Sequence, residues 1–341
     1  MDDLLYFYPQ GHEKHYQPGH PERPERVEAV REALENTGYW DQIPKADPVD
    51  LAEGDLVRVH QTELLSELKR ASQGGQPLDL DTYTTPESWD LALQAAGGGI
   101  AVTRAVWAGE VRRGFALTRP PGHHATRRKA MGFCLLNNIA LAADDLVARG
   151  DADRVAILDI DLHHGNGTQD IFWERADVFY FSTHQYPHYP GTGRLAERGQ
   201  GSGKGTTANV PLPAGSGDMA FRTIFEEAFL PLLERFSPDG ILVSCGFDPH
   251  WRDPLGQLAW SAKGMGELIR DLARWADRHC GGRVVVFLEG GYDLDAARAC
   301  GVALVSALNG KPIPDPLGPS PEREGPAWKD TLRQFKDVWD L

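Results

Sequence analysis

Six short apolar runs recur along the chain, at residues 4–8, 115–117, 155–158, 178–181, 241–243 and 284–288. Each is too short for a buried helix and rich in aliphatic or aromatic residues, so each reads as a strand buried on both faces. Helical patterns fill the stretches between them, at 24–36 (closed by Gly38), 88–108, 138–148, 219–236, 262–279 and 296–308. Strand and helix in alternation constrain the chain to an α/β fold, a mainly parallel sheet flanked by helices on both faces. No polar linker interrupts the alternation before residue 310, so residues 1–310 read as a single domain although the length would allow two.

Residues 311–341 have a different character. Six prolines between Lys311 and Pro326 predict an extended connector, after which Trp328, Leu332, Phe335 and Trp339 recur at helical spacing. Such an amphipathic end is expected to dock on the body or on another subunit, so a homo-oligomer through this segment is one expectation. Lys and Arg number 35 against 49 Asp and Glu, a net charge of −14. That charge repels a phosphate backbone, argues against direct nucleic-acid binding, and attracts cationic substrates. No apolar run approaches the roughly 18 residues of a membrane span, and Met1-Asp2-Asp3 lacks the basic and then apolar design of a leader. A cytoplasmic protein without membrane contact is expected. Cys134, Cys245, Cys280 and Cys300 form no CxxC pair, which predicts free and mostly buried thiols in a reducing compartment.

Four of the expected strands run into polar clusters at their carboxyl ends, the edge of a parallel sheet where ligands bind. Residues 115–117 lead to Pro120-Pro121-Gly122-His123-His124, and 155–158 to Asp159-Ile160-Asp161-Leu162-His163-His164-Gly165-Asn166-Gly167. Residues 241–243 lead to Gly246-Phe247-Asp248, and 284–288 to Glu289-Gly290-Gly291-Tyr292. Alternate side chains of an extended segment share a face, so Asp159, Asp161 and His163 are expected to point one way while Ile160 and Leu162 pack against helices. A carboxylate and an imidazole on one face, joined by Asp248 from another strand, make a mixed N/O metal site with a position left for water. That is the pattern of catalytic rather than structural zinc. His123-His124, set by the Pro121-Gly122 turn, bring to the same edge side chains whose ordinary pKa suits proton transfer near neutrality. Six of the 12 histidines fall between His123 and His188, whereas His12, His15, His60 and His279 lack such company and read as structural.

Together these residues carry a resemblance. The strings PPGHH, DIDLHHGNG, GFD and EGGY, with His20-Pro21-Glu22-Arg23-Pro24-Glu25-Arg26 and Met131-Gly132-Phe133-Cys134, resemble the zinc-dependent histone deacetylase and acetylpolyamine amidohydrolase family. The resemblance spans roughly residues 5–309. It implies an arginase-like α/β domain that hydrolyses an acetylated amine to free amine and acetate. Position by position, it implies Asp161, His163 and Asp248 as zinc ligands and Asp159 as the partner that orients His123. Asp159 with Ser182 resembles the family's inner monovalent-cation site, where potassium is expected. His124 is implied as the general base, and Tyr292, aimed by the Gly290-Gly291 turn, as the donor to the developing oxyanion. Asn166 stands where some members carry Asp, which resembles the class II branch and should leave the His124 pKa lower than an Asp partner would. Gly132, Phe133 and Tyr189 match the walls of a narrow acyl-amine channel. Asp81 matches the rim aspartate, with Asp79 the alternative if that loop is shifted, and Arg26 resembles the arginine of an acetate-release channel.

Rival readings differ in specific residues. A binuclear manganese ureohydrolase of the same superfamily needs Asp-x-Asp where this chain has Asp248-Pro249-His250, and Ile160 and Leu162 occupy the intervening positions of the first motif, so one metal is expected. A non-catalytic acyl-amine-binding protein would be expected to have lost a ligand or the tyrosine, and neither is missing. The substrate is expected to be an acetylated lysine of a peptide or protein, with an acetylated small amine the alternative. Leu255 stands where a polyamine-selective branch carries glutamate, and the loop at 74–86 is too short for the dimer-forming insertion of bacterial acetylpolyamine enzymes.

Overall fold

The computed structural model describes residues 4–341; Met1-Asp2-Asp3, and with them the expectation about a leader, lie outside the described residues. Seven parallel strands form one sheet: β1 (Leu4–Phe7), β2 (Arg113–Ala116), β3 (Val155–Asp159), β4 (Val178–Gln185), β5 (Thr207–Leu212), β6 (Gly240–Cys245) and β7 (Val284–Leu288). Their spatial order is β1-β2-β7-β6-β3-β4-β5. The six apolar runs are six of these strands. β5 goes beyond the sequence reading: Asn209 and Pro211 disrupt its strand pattern, and it pairs with β4 alone, at the sheet edge where a missing N–H is tolerated.

Side-chain alternation along the strands divides the core. Ala156 and Leu158 of β3 face one layer, with helices Glu25–Asn36, Ala262–His279 and Leu294–Leu308, while Val155 and Ile157 face the other, with helices Ser88–Trp107 and Asn138–Arg149. Helices Glu53–Val59 and Thr62–Gly74, absent from the sequence reading, extend the second layer. The pattern at 219–236 forms a continuous helix with a π turn at Phe225–Phe229, just ahead of Pro231, which has no N–H to return to the preceding turn.

The connector 311–326 has no helix or strand. Its residue Glu324 accepts the N–H groups of Met219 and Ala220 at 3.0 and 2.8 Å, at the start of helix Asp218–Ile224. Helix Trp328–Trp339 then buries Trp328, Leu332, Phe335 and Trp339 against the body. The Phe335 ring lies 5.8 Å from that of Phe181 in β4, and the Arg198 guanidinium sits 4.2 Å from the Trp339 ring. A subunit contact through this segment would therefore use its outer surface. All four cysteines are buried and free, and no helix among the described residues is long and apolar enough to cross a membrane.

Strand order positions the site. The chain leaves β3 toward β4 on one side and leaves β6 toward β7 on the other, so the crevice between the carboxyl ends of β3 and β6 is a topological switch point.

Candidate active site

β2, β7, β6 and β3 are consecutive neighbours at the centre of the sheet, so the four polar clusters end along one stretch of its edge. Ladder pairing of β3 stops at Asp159. The chain beyond carries Asp161 and His163 to Asp248, and ligand atoms of these three buried residues lie within 4.8 Å of one another. Nδ1 of His163 is 3.1 Å from Oδ1 of Asp161 and 3.2 Å from Oδ2 of Asp248.

Backbone groups hold the carboxylates. Asp161 accepts the Gly290 N–H at Oδ2 and the His163 N–H at Oδ1, both at 2.8 Å, and Asp248 Oδ1 accepts the Leu162 N–H at 3.1 Å. Oδ2 of Asp248 is buried and, although His163 Nδ1 lies 3.2 Å away, receives no aligned hydrogen bond. Gly246 and Gly290 border these oxygens, and a Cβ at either would collide with both carboxylates. Burial and the Asp161 charge push the Asp248 carboxyl up to about 7. Two crowded carboxylates, one imidazole and a buried oxygen without an aligned donor fit a divalent cation.

Asp159 takes a separate place. Its Oδ2 accepts from His123 Nδ1 at 3.1 Å and from the Tyr180 hydroxyl at 3.0 Å, and its Oδ1 from the Asp161 N–H at 3.2 Å. Asp159 and Asp161 both face His123, whose Nδ1 lies 3.1 Å from Asp159 Oδ2 and whose Nε2 lies 3.7 Å from Asp161 Oδ1, while Asp161 and His163 also meet Asp248. Burial opposes protonation of His123, but Asp161 and Asp159 outweigh it and hold its pKa up at about 10. His124 differs from its neighbour. Its Nδ1 is 2.8 Å from Asn166 Oδ1, and burial together with the His123 and His163 charges holds it neutral, well below the ordinary histidine range.

Tyr292 follows Gly291, whose φ of +115° is a left-handed value that suits glycine, and its N–H donates to Asp253 Oδ2 at 2.6 Å. Burial raises its hydroxyl pKa well above the usual value, with Arg26 working against the rise and Asp248 and Asp161 adding to it, so the group stays a donor. Arg26 is buried, lies 4.8 Å from the Tyr292 ring, and donates to the carbonyls of Gly291 (2.6 Å) and Glu289.

Aromatic rings surround this group. Tyr189, 37% exposed, lies 5.2 Å from the His124 ring, and Phe133 lies 5.8 Å from Tyr292 and 4.7 Å from His20. Phe133 itself has φ +69°, rare for an aromatic residue, and its N–H is held by Thr82 Oγ1 at 3.2 Å. Gly132 stands between the Tyr189 and His124 rings. Asp253 also accepts the Leu255 N–H at 3.0 Å, which ties the Leu255 loop to the Tyr292 turn. Asp79 caps the Asp81 N–H at 3.2 Å and faces Lys129, whereas the Asp81 carbonyl accepts from His20 at 3.1 Å, close to Phe133. Ser182 is the register partner of Asp159, with its Oγ 2.9 Å from His184 Nδ1.

Sequence reasoning assigned no role to Glu289, Asp253 or Tyr180. Glu289 accepts the N–H groups of Gly122 (2.7 Å) and His123 (3.2 Å) and the Ser244 hydroxyl (2.8 Å), so it holds the histidine loop to β6 and β7. Burial raises its pKa to about 7. A carboxylate directly after the apolar run Val284–Leu288 was the signal available for it.

Comparisons with known proteins identify the family. Residues 20–308 match the family model described as the histone deacetylase domain. The chain is similar to histone deacetylase 14, chloroplastic, of Arabidopsis thaliana, at 38% identity over 95% of this chain and 80% of that protein. It is similar to the histone deacetylase-like amidohydrolase of Pseudomonas aeruginosa, at 39% identity over 93% of this chain and 85% of the relative. The crystal structure of an HDA15 HD domain superposes with a TM-score of 0.90 at 33% identity, covering 99% of this chain and 94% of that one. By the family match over residues 20–308, the relatives and the shared single parallel sheet, the chain belongs to the histone deacetylase family and is a hydrolase of acetylated amines.

Proposed function

We propose that the chain is a zinc-dependent deacetylase that releases acetate from acetylated lysine side chains of peptides or proteins. The observation that carries this reading is the convergence of Asp161, His163 and Asp248, with one buried oxygen lacking an aligned donor, beside a neutral His124. Zinc held by those three would supply Lewis acidity toward the amide carbonyl and lower the pKa of a coordinated water.

The chain's own groups supply the rest. His124, donating Nδ1–H to Asn166, keeps Nε2 free to take the proton of the attacking water and to return one to the leaving amine. Tyr292, kept protonated by its surroundings, donates to the carbonyl oxygen as charge develops there. Phe133 and Tyr189 flank the methylenes of the acylated side chain, and Asp81 offers an acceptor at the mouth. Leu255 brings no charge for a distal ammonium, which favours acetyl-lysine over an acetylpolyamine. Asp159 and Ser182, register partners across β3 and β4, are the side chains that would hold a potassium ion, and the chemistry above does not depend on one.

The test pairs elemental analysis with a rate panel. About one zinc per chain is expected, lost in Asp161→Ala and Asp248→Ala, with an acetyl-lysine peptide turned over at least as well as N-acetylspermidine. Leu255→Glu should shift kcat/KM toward the polyamine by roughly tenfold to a hundredfold, the size of one charged contact in a partly dry site. Full zinc occupancy in both Asp variants would sink the metal reading. A wild-type preference for N-acetylspermidine above about tenfold would sink the substrate reading.

A further inference from the structure

One sulfur beside the catalytic group has a geometry that the chemistry above leaves unused. Asn166 Oδ1 lies 2.8 Å from His124 Nδ1, while Asn166 Nδ2 lies 3.5 Å from the Met131 thioether. An amide has one accepting end and one donating end, and here both ends face a partner. A thioether accepts weakly and has no hydrogen to give. Were the amide turned over, its carbonyl would face sulfur lone pairs and its NH2 would face His124 Nδ1. His124 would then need a lone pair on Nδ1 and a proton on Nε2, the nitrogen that must be bare for a base.

The sulfur sits on a well-fixed turn. Met131 and Cys134 exchange backbone hydrogen bonds at 3.1 and 3.0 Å, and the His124 N–H faces Cys134 Sγ at 3.5 Å. Gly132, at φ +57°, presses its backbone against the His124 ring, where a Cβ would collide. The segment that carries the Phe133 wall therefore also carries the sulfur, in fixed relation to the imidazole.

We propose that Met131 is a positioning residue: its thioether orients the Asn166 amide, which in turn holds His124 as the Nδ1–H tautomer. The inference rests on the reading of His124 as general base. A carboxylate at position 166 would need no such help, because its two oxygens are equivalent acceptors. Asn166 is partly exposed, so water competes for the turned-over amide and the effect has the size of one weak hydrogen bond.

The experiment is a double-mutant cycle on zinc-loaded enzyme, with an acetyl-lysine peptide as substrate. Met131→Leu should lower kcat about three- to tenfold, with KM and thermal midpoint unchanged. In the Asn166→Asp background the same substitution should cost nothing, since the orienting role has gone. Nitrogen-15 NMR of the imidazoles, with the His124 signals identified by their loss in His124→Ala, should show Nδ1–H in the wild type and a mixture of tautomers in Met131→Leu. Equal losses in the wild-type and Asn166→Asp backgrounds, or an unchanged tautomer, would overturn the role of Met131 while leaving the base reading intact. Near-normal kcat in His124→Ala would overturn the base reading itself.

Discussion

In the proposed reaction Tyr292 acts as a neutral hydrogen-bond donor, and its surroundings keep its hydroxyl protonated. Burial raises the hydroxyl pKa well above the ordinary value, while Asp253 holds the tyrosine backbone N–H and Arg26 grips the Glu289 and Gly291 carbonyls around it. Tyr292→Phe keeps the ring and removes only the donor. By analogy with other oxyanion donors, kcat should fall by about 10² to 10³ with KM little changed. Zinc content should remain at wild-type level, because Tyr292 is not among the three residues proposed to hold the metal. Steady-state kinetics with parallel elemental analysis decide the matter, and near-normal kcat would mean that the hydroxyl points elsewhere.

Helix Ser88–Trp107 contains Gly97-Gly98-Gly99 in its middle, although each glycine costs a helix about 1 kcal/mol relative to alanine. Packing explains the sequence. Gly98 lies against the Phe7 ring of β1 and Gly99 against the Phe287 ring of β7, and a Cβ at either position would collide with the ring. The helix can therefore lie low on the sheet. Gly98→Ala should destabilise the protein by about 1 to 3 kcal/mol despite the better helix propensity. Gly54, in helix Glu53–Val59 with nothing near its missing Cβ, provides the opposite case. Gly54→Ala should be neutral or stabilising by up to about 1 kcal/mol. Denaturant unfolding of the two variants would show these opposite signs, and a stabilised Gly98→Ala would mean that the sheet yields easily.

At the scale of the molecule, a buried ion cluster joins segments distant in sequence. Glu22 accepts from Arg119 Nε at 2.8 Å and from Arg26 Nη1 at 3.1 Å, and Arg119 also reaches the carbonyls of His12 and His15. The N-terminal loop, the first helix and the end of β2 are thereby linked. Burial would raise the Glu22 pKa, but Arg119 and Arg26 outweigh it and lower the carboxyl from 4.5 to about 2. A depressed carboxyl contributes stability that is fully present above its unfolded value and lost as pH falls through its folded one. Unfolding free energy should accordingly drop between about pH 4.5 and pH 2. Glu22→Gln should flatten that dependence and, by leaving two buried guanidinium groups short of a counter-charge, cost about 3 to 5 kcal/mol at neutral pH. Denaturant titrations across this range test it. An unchanged slope in the variant would assign acid unfolding to other carboxylates.

Local pattern accounts for the elements and for the chemistry they carry. Buried runs such as Val155–Leu158 specify strands, the glycines, prolines and helical periods between them specify crossovers, and the alternation leaves a parallel sheet as the consistent arrangement. The residue types of the site were legible for the same reason: acids and imidazoles at the ends of apolar strands must have a use that offsets their burial. The rest came from the folded chain, because strand order and side-chain aim depend on segments far away in sequence. The order β2-β7-β6-β3 makes neighbours of His123, Glu289, Asp248 and Asp161, and no local pattern encodes it. Asp159 and Asp161, two residues apart, share His123 but differ otherwise, because the Tyr180 hydroxyl reaches the first while Gly290 and His163 reach the second. β5 exists despite Pro211 because an edge strand needs only one ladder. The contact of Met131 with Asn166 likewise arises only when a turn after β2 and a turn after β3 meet over the same imidazole.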